Sequence, residues 1–357
     1  MDNLFFIFFI SVFVVVIVPL LVAGYIYTKN FGRTFEKIAV DSKLLDEYSG
    51  LKLDKRSFKS NKDQALAGFL YSGEYDKPKG IVVLAHGYGT GGHTYYLDVI
   101  NYFAKNGYKV FTYDATGNGD SQVMNVGGFP QGILDLKSAI KYVKSNDELK
   151  NLPLMLWGHS WGGYSVGSVL VDYPNVTSAI SVSGVNSSKL VLEDEGRNLY
   201  GNLVELILPY IIGFERLKFG KYSSYNALDG FKSSNIPVMV IHSTDDQRVP
   251  TEMGYDLYFN KFKDEPRFEF VKLHNRDHNN PYYTEDAVKY RSEADLSYAK
   301  YLKEKGIKDD NMVKEKYFNN HFIKEKLFEL DTELMDKMVD FYDRSIENIL
   351  SEEAKGE

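Results

Sequence analysis

Cysteine is missing from this sequence, and acidic residues outnumber basic ones. The 357 residues include 42 Lys and Arg against 49 Asp and Glu, which gives a formal net charge of −7. Without cysteine there can be no disulfide, no thiolate zinc site and no cysteine nucleophile. The negative charge, and the lack of a basic cluster interleaved with aromatic residues, argue against nucleic acid as a partner. Hydrophobic residues make up 44% of the chain, enough for a sizeable core.

The N-terminal segment is long, apolar and uncharged. After Asp2 no charged residue occurs in the first 28 positions, and most of these are Leu, Ile, Phe or Val. A helix of this length crosses a bilayer. A cleaved signal peptide is the alternative, with small residues at Val22-Ala23-Gly24 near a possible cut, but the apolar region is too long for one. We predict a transmembrane anchor over residues 1–28, followed by a stem of mixed polarity over residues 29–60.

Charges that flank the anchor predict its orientation. Lys29, Arg33 and Lys37 follow the segment, whereas Asp2 precedes it. The positive-inside rule then places the rest of the chain in the cytoplasm. We therefore expect a single-pass membrane protein whose main domain is cytoplasmic.

Beyond residue 60 the chain alternates between apolar strand patterns and helical patterns. The predicted strands are 81–87, 108–115, 154–160, 177–184, 237–243 and 267–274. Helical patterns include 94–107, 130–145 and 251–262. Apolar strand runs that alternate with helices indicate the α/β class, with a mostly parallel, doubly wound sheet that carries helices on both faces.

A serine bracketed by glycines joins one predicted strand to a predicted helix, in the sequence Gly158-His159-Ser160-Trp161-Gly162. This is the context of a G-x-S-x-G nucleophile elbow, a turn so tight that it leaves no room for a Cβ two positions either side of the serine. The turn presents the Ser160 hydroxyl at the carboxyl edge of the sheet and leaves the Trp161 N–H able to bind an oxyanion. The alternative is a loop that merely turns the chain or binds phosphate, but no P-loop lysine and no G-x-G-x-x-G accompany it.

A nucleophilic serine needs a histidine base and an acid that orients this base. In the chain order Ser, acid, His, the base follows a late strand, which leaves His274 and His278. We prefer His278, because it lies in the turn-rich loop beyond the strand and is free to reach Ser160. Of the other histidines, His86 is predicted to brace the loop that carries the second oxyanion donor, and His159 and His242 are predicted to be structural.

Two adjacent carboxylates, Asp245 and Asp246, follow the strand over residues 237–243. Adjacent side chains in an extended segment point in opposite directions, so only one of them is expected to face the histidine. The other is expected to be solvated or to cap the helix that begins near Thr251.

Five motifs occur in a fixed order, namely LAHGYG, YDATGNGDS, GHSWGG, STDDQRVP and RDHNN. Over roughly residues 60–305 this set resembles the α/β-hydrolase superfamily, in the branch of monoglyceride-lipase-like, lysophospholipase-like and serine-aminopeptidase-like enzymes. The resemblance implies that Asp246 is the acid, because it begins a D-x-x-V-P signature. It also implies that the N–H of Tyr88 is an oxyanion donor beside that of Trp161. One departure is the loop 114–121, which lacks the arginine of the usual D-x-R-G-x-G-x-S.

The resemblance also predicts the domain organisation. Residues 61–305 would form the hydrolase domain, with a helical cap over the active site at about 186–230. The largely apolar stretch 199–214 would supply cap helices, although an ordinary core helix is the alternative. Residues 306–357 form a charged helical extension, in which one apolar stripe favours packing on the domain over self-association or membrane contact. The residues of this stripe are Met335, Met338, Tyr342, Ile346 and Ile349.

These features together predict a serine hydrolase that cleaves carboxylic esters without a metal or an organic cofactor. Acyl lipids such as monoacylglycerol or lysophospholipid are the expected substrates, because the anchor holds the domain at a membrane and the cap is apolar. The alternative is a serine aminopeptidase or amidase, whose substrate amino group would pair with acids at 193–195. A further alternative is a binding module that has lost catalysis. The physiological substrate and the oligomeric state stay open.

Overall fold

The structure is a computed structural model that describes residues 2–36, 45–121 and 125–356. Within these residues, the strands of the main sheet are β1 (Lys52–Lys59), β2 (Ala65–Ser72), β3 (Gly80–Ala85), β4 (Tyr108–Tyr113), β5 (Leu154–His159), β6 (Ser178–Val182), β7 (Val238–Ser243) and β8 (Phe268–Leu273). They form one sheet in the order β1-β2-β4-β3-β5-β6-β7-β8. The β1-β2 and β2-β4 pairs are antiparallel, and every other neighbouring pair is parallel. The predicted α/β class with a mostly parallel sheet is confirmed.

Helices cover both faces of this sheet. In the described part of the chain they are α1 (Asp2–Val12), α2 (Val18–Phe31), α3 (Leu97–Lys105), α4 (Gln131–Ser145), α5 (Trp161–Val169), α6 (Ser188–Tyr200), α7 (Val204–Phe219), α8 (Ala227–Lys232), α9 (Tyr255–Phe262), α10 (Glu285–Lys305), α11 (Asn311–His321), α12 (Lys324–Leu327) and α13 (Thr332–Gly356). A π-helical turn, Phe13–Ile17, joins α1 to α2. Lys37, which was used to predict the membrane orientation, lies outside the described residues.

The alternation of side chains along the strands divides the core into two layers. In β3, Ile81 and Val83 pack into one buried cluster, whereas Val82 and Leu84 pack into the other. The strand therefore reads as a continuous apolar run, as expected for a sheet that is covered on both faces.

The main sheet begins within the predicted stem. Strand β1 lies within residues 29–60 but pairs with β2 over its whole length, for example Phe58 with Leu66. The boundary at 60/61 therefore divides a β-hairpin. The sequence of β1 does not show the apolar run typical of a buried strand, because β1 is an edge strand in which Phe58 is the only buried side chain.

The predicted C-terminal extension belongs to the core of the same domain. Met335, Met338 and Tyr342 on α13 are fully buried in the cluster that also contains Val82 and Leu84. The hydroxyl of Tyr342 donates to the backbone carbonyl of Leu156 in β5 at 2.8 Å. The apolar stripe is thus a packing face over these three residues, whereas Ile349 at its end is exposed.

In the described part of the chain, one helix is long and apolar enough, by length and composition, to cross a membrane. This candidate span is Phe5–Phe31, 27 residues, so the helix ends three residues beyond the predicted anchor. Its first part projects exposed side chains, whereas Ala23, Tyr27 and Phe31 are buried against the domain. At Gly24 an added Cβ would meet the ring of Phe214 at 2.7 Å, so glycine allows α2 to pack closely on α7.

The chain continues from this helix as part of the domain. The N–H of Phe35 donates to the carbonyl of Gly117 at 2.9 Å, and the N–H of Gly119 returns a bond of 2.9 Å to the carbonyl of Phe35. Two more backbone bonds link residues 31 and 33 to residues 126 and 127. The N-terminal helix is therefore fixed to the domain at its end.

A buried carboxyl group links the N-terminal helix to α6 and α7. Glu215 accepts hydrogen bonds from the hydroxyls of Tyr27, at 2.6 Å, and of Ser188, at 2.8 Å. Burial raises the pKa of Glu215 from its ordinary 4.5 to about 7, although both hydrogen bonds oppose the rise. The folded chain thus keeps a proton that the unfolded chain loses near its ordinary value.

We expect the free energy of unfolding to fall as the pH rises from about 4.5 to 7, because the unfolded state binds fewer protons there. The fall contributed by this group is at most ~3 kcal/mol. Glu215→Gln removes this contribution, whereas Glu205→Gln, on the same helix but exposed, keeps it. Thermal unfolding of the detergent-solubilised chain at several pH values measures the difference. Identical pH profiles for the two variants would contradict the assignment.

Candidate active site

Ser160 lies in a strained turn between β5 and α5. Its backbone φ is +56° with ψ at −114°, in a region that non-glycine residues rarely adopt. A Cβ at Gly158 would lie 2.3 Å from the carbonyl oxygen of Gly162, and a Cβ at Gly162 would lie 2.0 Å from that of Ala85. These are the close approaches that the glycine spacing predicts.

Replacing Gly162 by alanine is expected to destabilise the fold by about 3 kcal/mol, because backbone atoms of β3 must move to admit the new Cβ. Gly213→Ala is the matched control, since Gly213 lies inside α7 and an added Cβ there would meet no described atom within 4 Å apart from the nearby backbone of its own helix. That control is expected to be neutral or to stabilise by up to about 1 kcal/mol. Chemical denaturation of the two variants measures the contrast, and equal stabilities would refute this account of the turn.

The structure brings the predicted residues Ser160, His278 and Asp246 into hydrogen-bond contact, with His278 in the middle. The Nε2 atom of His278 lies 2.8 Å from the Oγ of Ser160, and its Nδ1 atom lies 2.7 Å from an Oδ2 of Asp246. Asp246 follows β7 and His278 follows β8, so both side chains come from loops at the carboxyl edge of the sheet. His278 is 7% exposed and Asp246 is 4% exposed. His274 instead contacts Thr244 at the surface.

Asp246 is held by several donors. Its Oδ1 accepts the backbone N–H groups of Arg248 and Val249, and His242 Nε2 lies 3.2 Å from its Oδ2. Burial by itself would raise the pKa of Asp246, but hydrogen bonds from His242 and His278 outweigh burial and keep the pKa well below its ordinary value. The carboxylate is therefore ionised at neutral pH.

Asp245 is exposed to solvent, which is the first of the two alternatives expected for the second carboxylate. Instead of capping the helix near Thr251, its carboxylate also accepts the N–H groups of Arg276, at 3.3 Å, and Asp277, at 3.1 Å. Both belong to the loop that carries His278. Asp245 therefore fixes the histidine loop from behind, a long-range contact that the sequence pattern does not reveal.

A buried hydrogen-bonded chain connects the two loops beside Ser160. The N–H of Gly87 donates to the Tyr96 hydroxyl at 2.9 Å, and this hydroxyl lies 2.8 Å from His159 Nδ1. His159 Nε2 lies 2.8 Å from the carbonyl oxygen of His278, which can only accept. Burial lowers the pKa of His159 to about 3, so the ring is neutral, with its proton on Nε2. His159 is structural, as predicted, but Tyr96 was missed.

The predicted oxyanion donors flank Ser160. Trp161 is the first residue of α5, so its N–H has no partner within the helix. Tyr88 lies on the loop after β3, and its ring contacts the Trp161 indole edge-on at 5.5 Å between centroids. His86 braces this loop as predicted, because it bonds the Gly87 carbonyl through Nδ1 at 2.8 Å and the Ala115 N–H through Nε2 at 2.9 Å.

A buried pair of a histidine and a carboxylate lies at the start of the loop that lacks the usual arginine. Asp114 is buried and accepts both the backbone N–H of His93, at 3.0 Å, and its Nδ1–H, at 2.7 Å. Burial alone would raise the pKa of Asp114, but these bonds and one from the Asp120 N–H hold it below its ordinary value. The His93 and Asp114 pair ties the end of β4 to the segment after β3. Sequence reasoning did not find this pair.

A cavity of about 610 Å³ opens over Ser160 and His278. Its walls come from α6 and α7 of the predicted cap, from the loop that contains Tyr88, and from the end of α2. This volume lies in the range of small-molecule sites. Within the apolar stretch 199–214, Ile211 lines the cavity, whereas Leu203 and Leu206 do not and are 70% and 74% exposed.

Charged side chains stand at one side of this cavity. Asp194 and Glu195 on α6 line it, together with Arg33 and Arg248. Glu195 forms an ion pair with Arg248 at 2.8 Å. The acidic run 193–195 is therefore not a purely solvated face.

The sequence of the chain is similar to sequences of known hydrolases. The family model described as "Serine aminopeptidase, S33" matches residues 76–211. The chain is 23% identical to the lysophosphatidylserine lipase ABHD12 of Danio rerio over 198 residues, 53% of this chain and 49% of that protein. It is 32% identical to a monoacylglycerol lipase of Mycolicibacterium smegmatis over 109 residues, 30% of this chain and 38% of that protein. The chain thus spans about half, or less, of the length of these curated relatives.

Solved structures show the same fold. An esterase of Pyrococcus furiosus superposes with a TM-score of 0.53 at 19% identity and covers 76% of this chain and 98% of its own. An acylaminoacyl peptidase of Pyrococcus horikoshii superposes with a TM-score of 0.51 at 20% identity, over 65% of this chain and 38% of its own. With the sheet topology, these likenesses show the α/β-hydrolase fold, and the family match with the lipase relatives makes the chain similar to the lysophospholipase-like and monoacylglycerol-lipase-like branch of that superfamily.

Proposed function

We propose that this protein is a membrane-associated serine hydrolase that cleaves carboxylic esters of acyl lipids. One observation carries the proposal, namely that His278 stands within hydrogen-bond distance of both Ser160 and the ionised Asp246. A serine that is bonded to a histidine, which is in turn bonded to a buried carboxylate, is the arrangement that activates a hydroxyl for acyl transfer.

In the proposed reaction His278 Nε2 takes the proton of Ser160 as its Oγ attacks the ester carbonyl carbon. Asp246 stabilises the imidazolium that forms and fixes the ring tautomer. The N–H groups of Tyr88 and Trp161 bind the oxyanion of the tetrahedral intermediate. The imidazolium then protonates the leaving alcohol, which departs and leaves an acyl-enzyme on Ser160. Water, deprotonated by His278, releases the carboxylic acid and restores the hydroxyl.

Lipid esters are favoured over small polar esters by the surroundings of Ser160. The cavity walls include the apolar side chains of Leu192, Val204 and Ile211, which suit an acyl chain at about 0.8 kcal/mol per buried CH₂. Two relatives are named as lipases that act on monoacyl lipids. The candidate membrane span would place the cavity beside a source of such substrates.

The packing of the N-terminal helix supports an anchor that stays attached. Cleavage near Val22-Ala23-Gly24 would leave Tyr27, which is bonded to Glu215, at a new chain end. The 18 exposed or partly exposed positions from Phe5 to Val22 would span about 27 Å, close to the thickness of a bilayer core. The basic residues that follow favour a cytoplasmic domain under the positive-inside rule. Digestion of the domain by protease added to intact cells would contradict this orientation.

A serine aminopeptidase or amidase is the second candidate, favoured by one observation. The carboxylates of Asp194 and Glu195 line the cavity, where they would attract a free amino group. The ion pair between Glu195 and Arg248 already neutralises one of these charges, so the ester remains the preferred substrate.

Turnover of p-nitrophenyl esters from acetyl to dodecanoyl by the purified full-length protein tests the proposal. We expect kcat/KM to rise from acetyl towards medium chains, because each methylene that enters an apolar pocket favours the bound transition state. A flat or falling profile together with release of an aminoacyl amide would move the assignment to the peptidase. The lack of turnover of every ester and amide would favour a binding module instead.

A further inference from the structure

The end of the candidate membrane helix forms part of the wall of the cavity above Ser160. Ile26, Tyr27, Asn30 and Phe31 all line this cavity. Positions 26, 27, 30 and 31 recur at helical spacing, so they form one stripe on α2. A helix that served only as a tether would have no reason to present a stripe of side chains to the active site.

This wall is held in place by contacts on three sides. Tyr27 bonds to Glu215, its ring packs on Phe214 at 5.6 Å between centroids, and Phe31 meets the ring of Tyr88 edge-on at 6.1 Å. Because Tyr88 carries one of the proposed oxyanion donors, the helix end contacts the reaction centre through a single side chain.

Part of the rim of the cavity is apolar and exposed. Leu199 and Tyr200 at the end of α6 line the cavity, yet they are 60% and 47% exposed. On α7, the hydroxyl of Tyr210 donates to the carbonyl of Val15 at 2.7 Å, so this helix extends alongside the middle of the candidate span. Helices α6 and α7 thus present exposed apolar side chains at the cavity and also contact the apolar N-terminal helix, and the occupant best suited to such a rim by chemistry is an acyl chain.

We propose that the last two turns of the N-terminal helix, through Ile26 and Phe31, form an acyl-chain-binding wall and so determine the acyl length that the enzyme accepts. This inference rests on the proposed ester hydrolase activity. The acyl chain passes between this wall and the cap helices, and the ester carbonyl lies at Ser160. Ile26 and Phe31 are then specificity-determining residues that a search restricted to the hydrolase domain would miss.

Two substitutions at one position test the wall in the full-length protein. Ile26→Trp fills the cavity beside the helix, and we expect it to lower the ratio of kcat/KM for dodecanoyl over acetyl ester at least about 10-fold. Ile26→Ala widens the cavity, and we expect the preferred chain length to increase. The matched control is Leu21→Trp, which adds similar bulk on the same helix at a side chain that is 65% exposed, and which is expected to keep the ratio of the wild type.

The reaction rate with a small fluorophosphonate monitors whether each variant keeps a folded site. If Ile26→Trp fails to react, the chain-length profile of Ile26→Ala decides the question. Profiles of both Ile26 variants that match the Leu21→Trp control would overturn the inference while the wild-type activity still stood. Failure of the wild type to hydrolyse any ester would instead remove the proposed function itself.

Discussion

Ser160→Ala is expected to reduce ester turnover by about 10⁴-fold or more, because the hydroxyl that attacks the carbonyl is lost. The fold is expected to survive, since the strained turn is kept by Gly158 and Gly162 and the serine side chain is not needed to fill the core. Ester turnover by the purified full-length protein, measured at saturating and at low substrate concentration, gives both kcat and kcat/KM.

Ser168→Ala is the matched control for this experiment. Ser168 lies on α5, the helix that follows Ser160, and is fully buried, and its hydroxyl has no hydrogen-bond partner among the described residues. Its removal is therefore expected to change turnover by no more than about 2-fold and to cost little stability. Equal activity of the two variants would show that Ser160 is not the nucleophile.

Asp246→Asn is expected to reduce kcat by about 10³- to 10⁴-fold, although the amide is nearly isosteric with the carboxylate. The amide cannot stabilise the imidazolium of His278, and an NH₂ group directed at Nδ1 favours the wrong ring tautomer. The side-chain oxygen of the asparagine can still accept the N–H groups of Arg248 and Val249, so we expect the loop geometry to persist. The kcat of the variant, with circular dichroism as a check on folding, measures the effect.

The neighbouring carboxylate supplies the control. Asp245→Asn keeps a side-chain oxygen that can accept an N–H group of the loop that carries His278. The carboxylate that contacts the His278 ring is unchanged, so we expect kcat to fall by less than about 10-fold. If Asp245→Asn were the more damaging change, the acid that orients His278 would have been assigned to the wrong residue.

The parts of the fold that could be predicted are those encoded locally. The six parallel strands were evident because buried strands appear as short apolar runs, and the turn at Ser160 was evident because its glycines are a steric requirement within five residues. His278 could be chosen over His274 because turn residues surround it. Each of these signals needs only a short window of sequence.

The parts that were missed depend on contacts between distant segments. Strand β1 carries too few apolar residues to be recognised without its partner β2. Tyr96 and His159 are 63 positions apart, and Glu215 and Tyr27 are 188 apart, so no local pattern reveals these pairs. For the same reason the N-terminal helix was predicted as an anchor alone, whereas its last turns also line the cavity.

The most direct measurement of the central claim is covalent labelling of the full-length protein with a fluorophosphonate, followed by peptide mass spectrometry. The account predicts one adduct per chain, located on Ser160, and no adduct in Ser160→Ala. The account also predicts slower labelling in His278→Ala, because the base that activates the hydroxyl is lost. An adduct on a different residue, or a wild-type chain that remains unlabelled while correctly folded, would contradict the claim that Ser160 is an activated nucleophile.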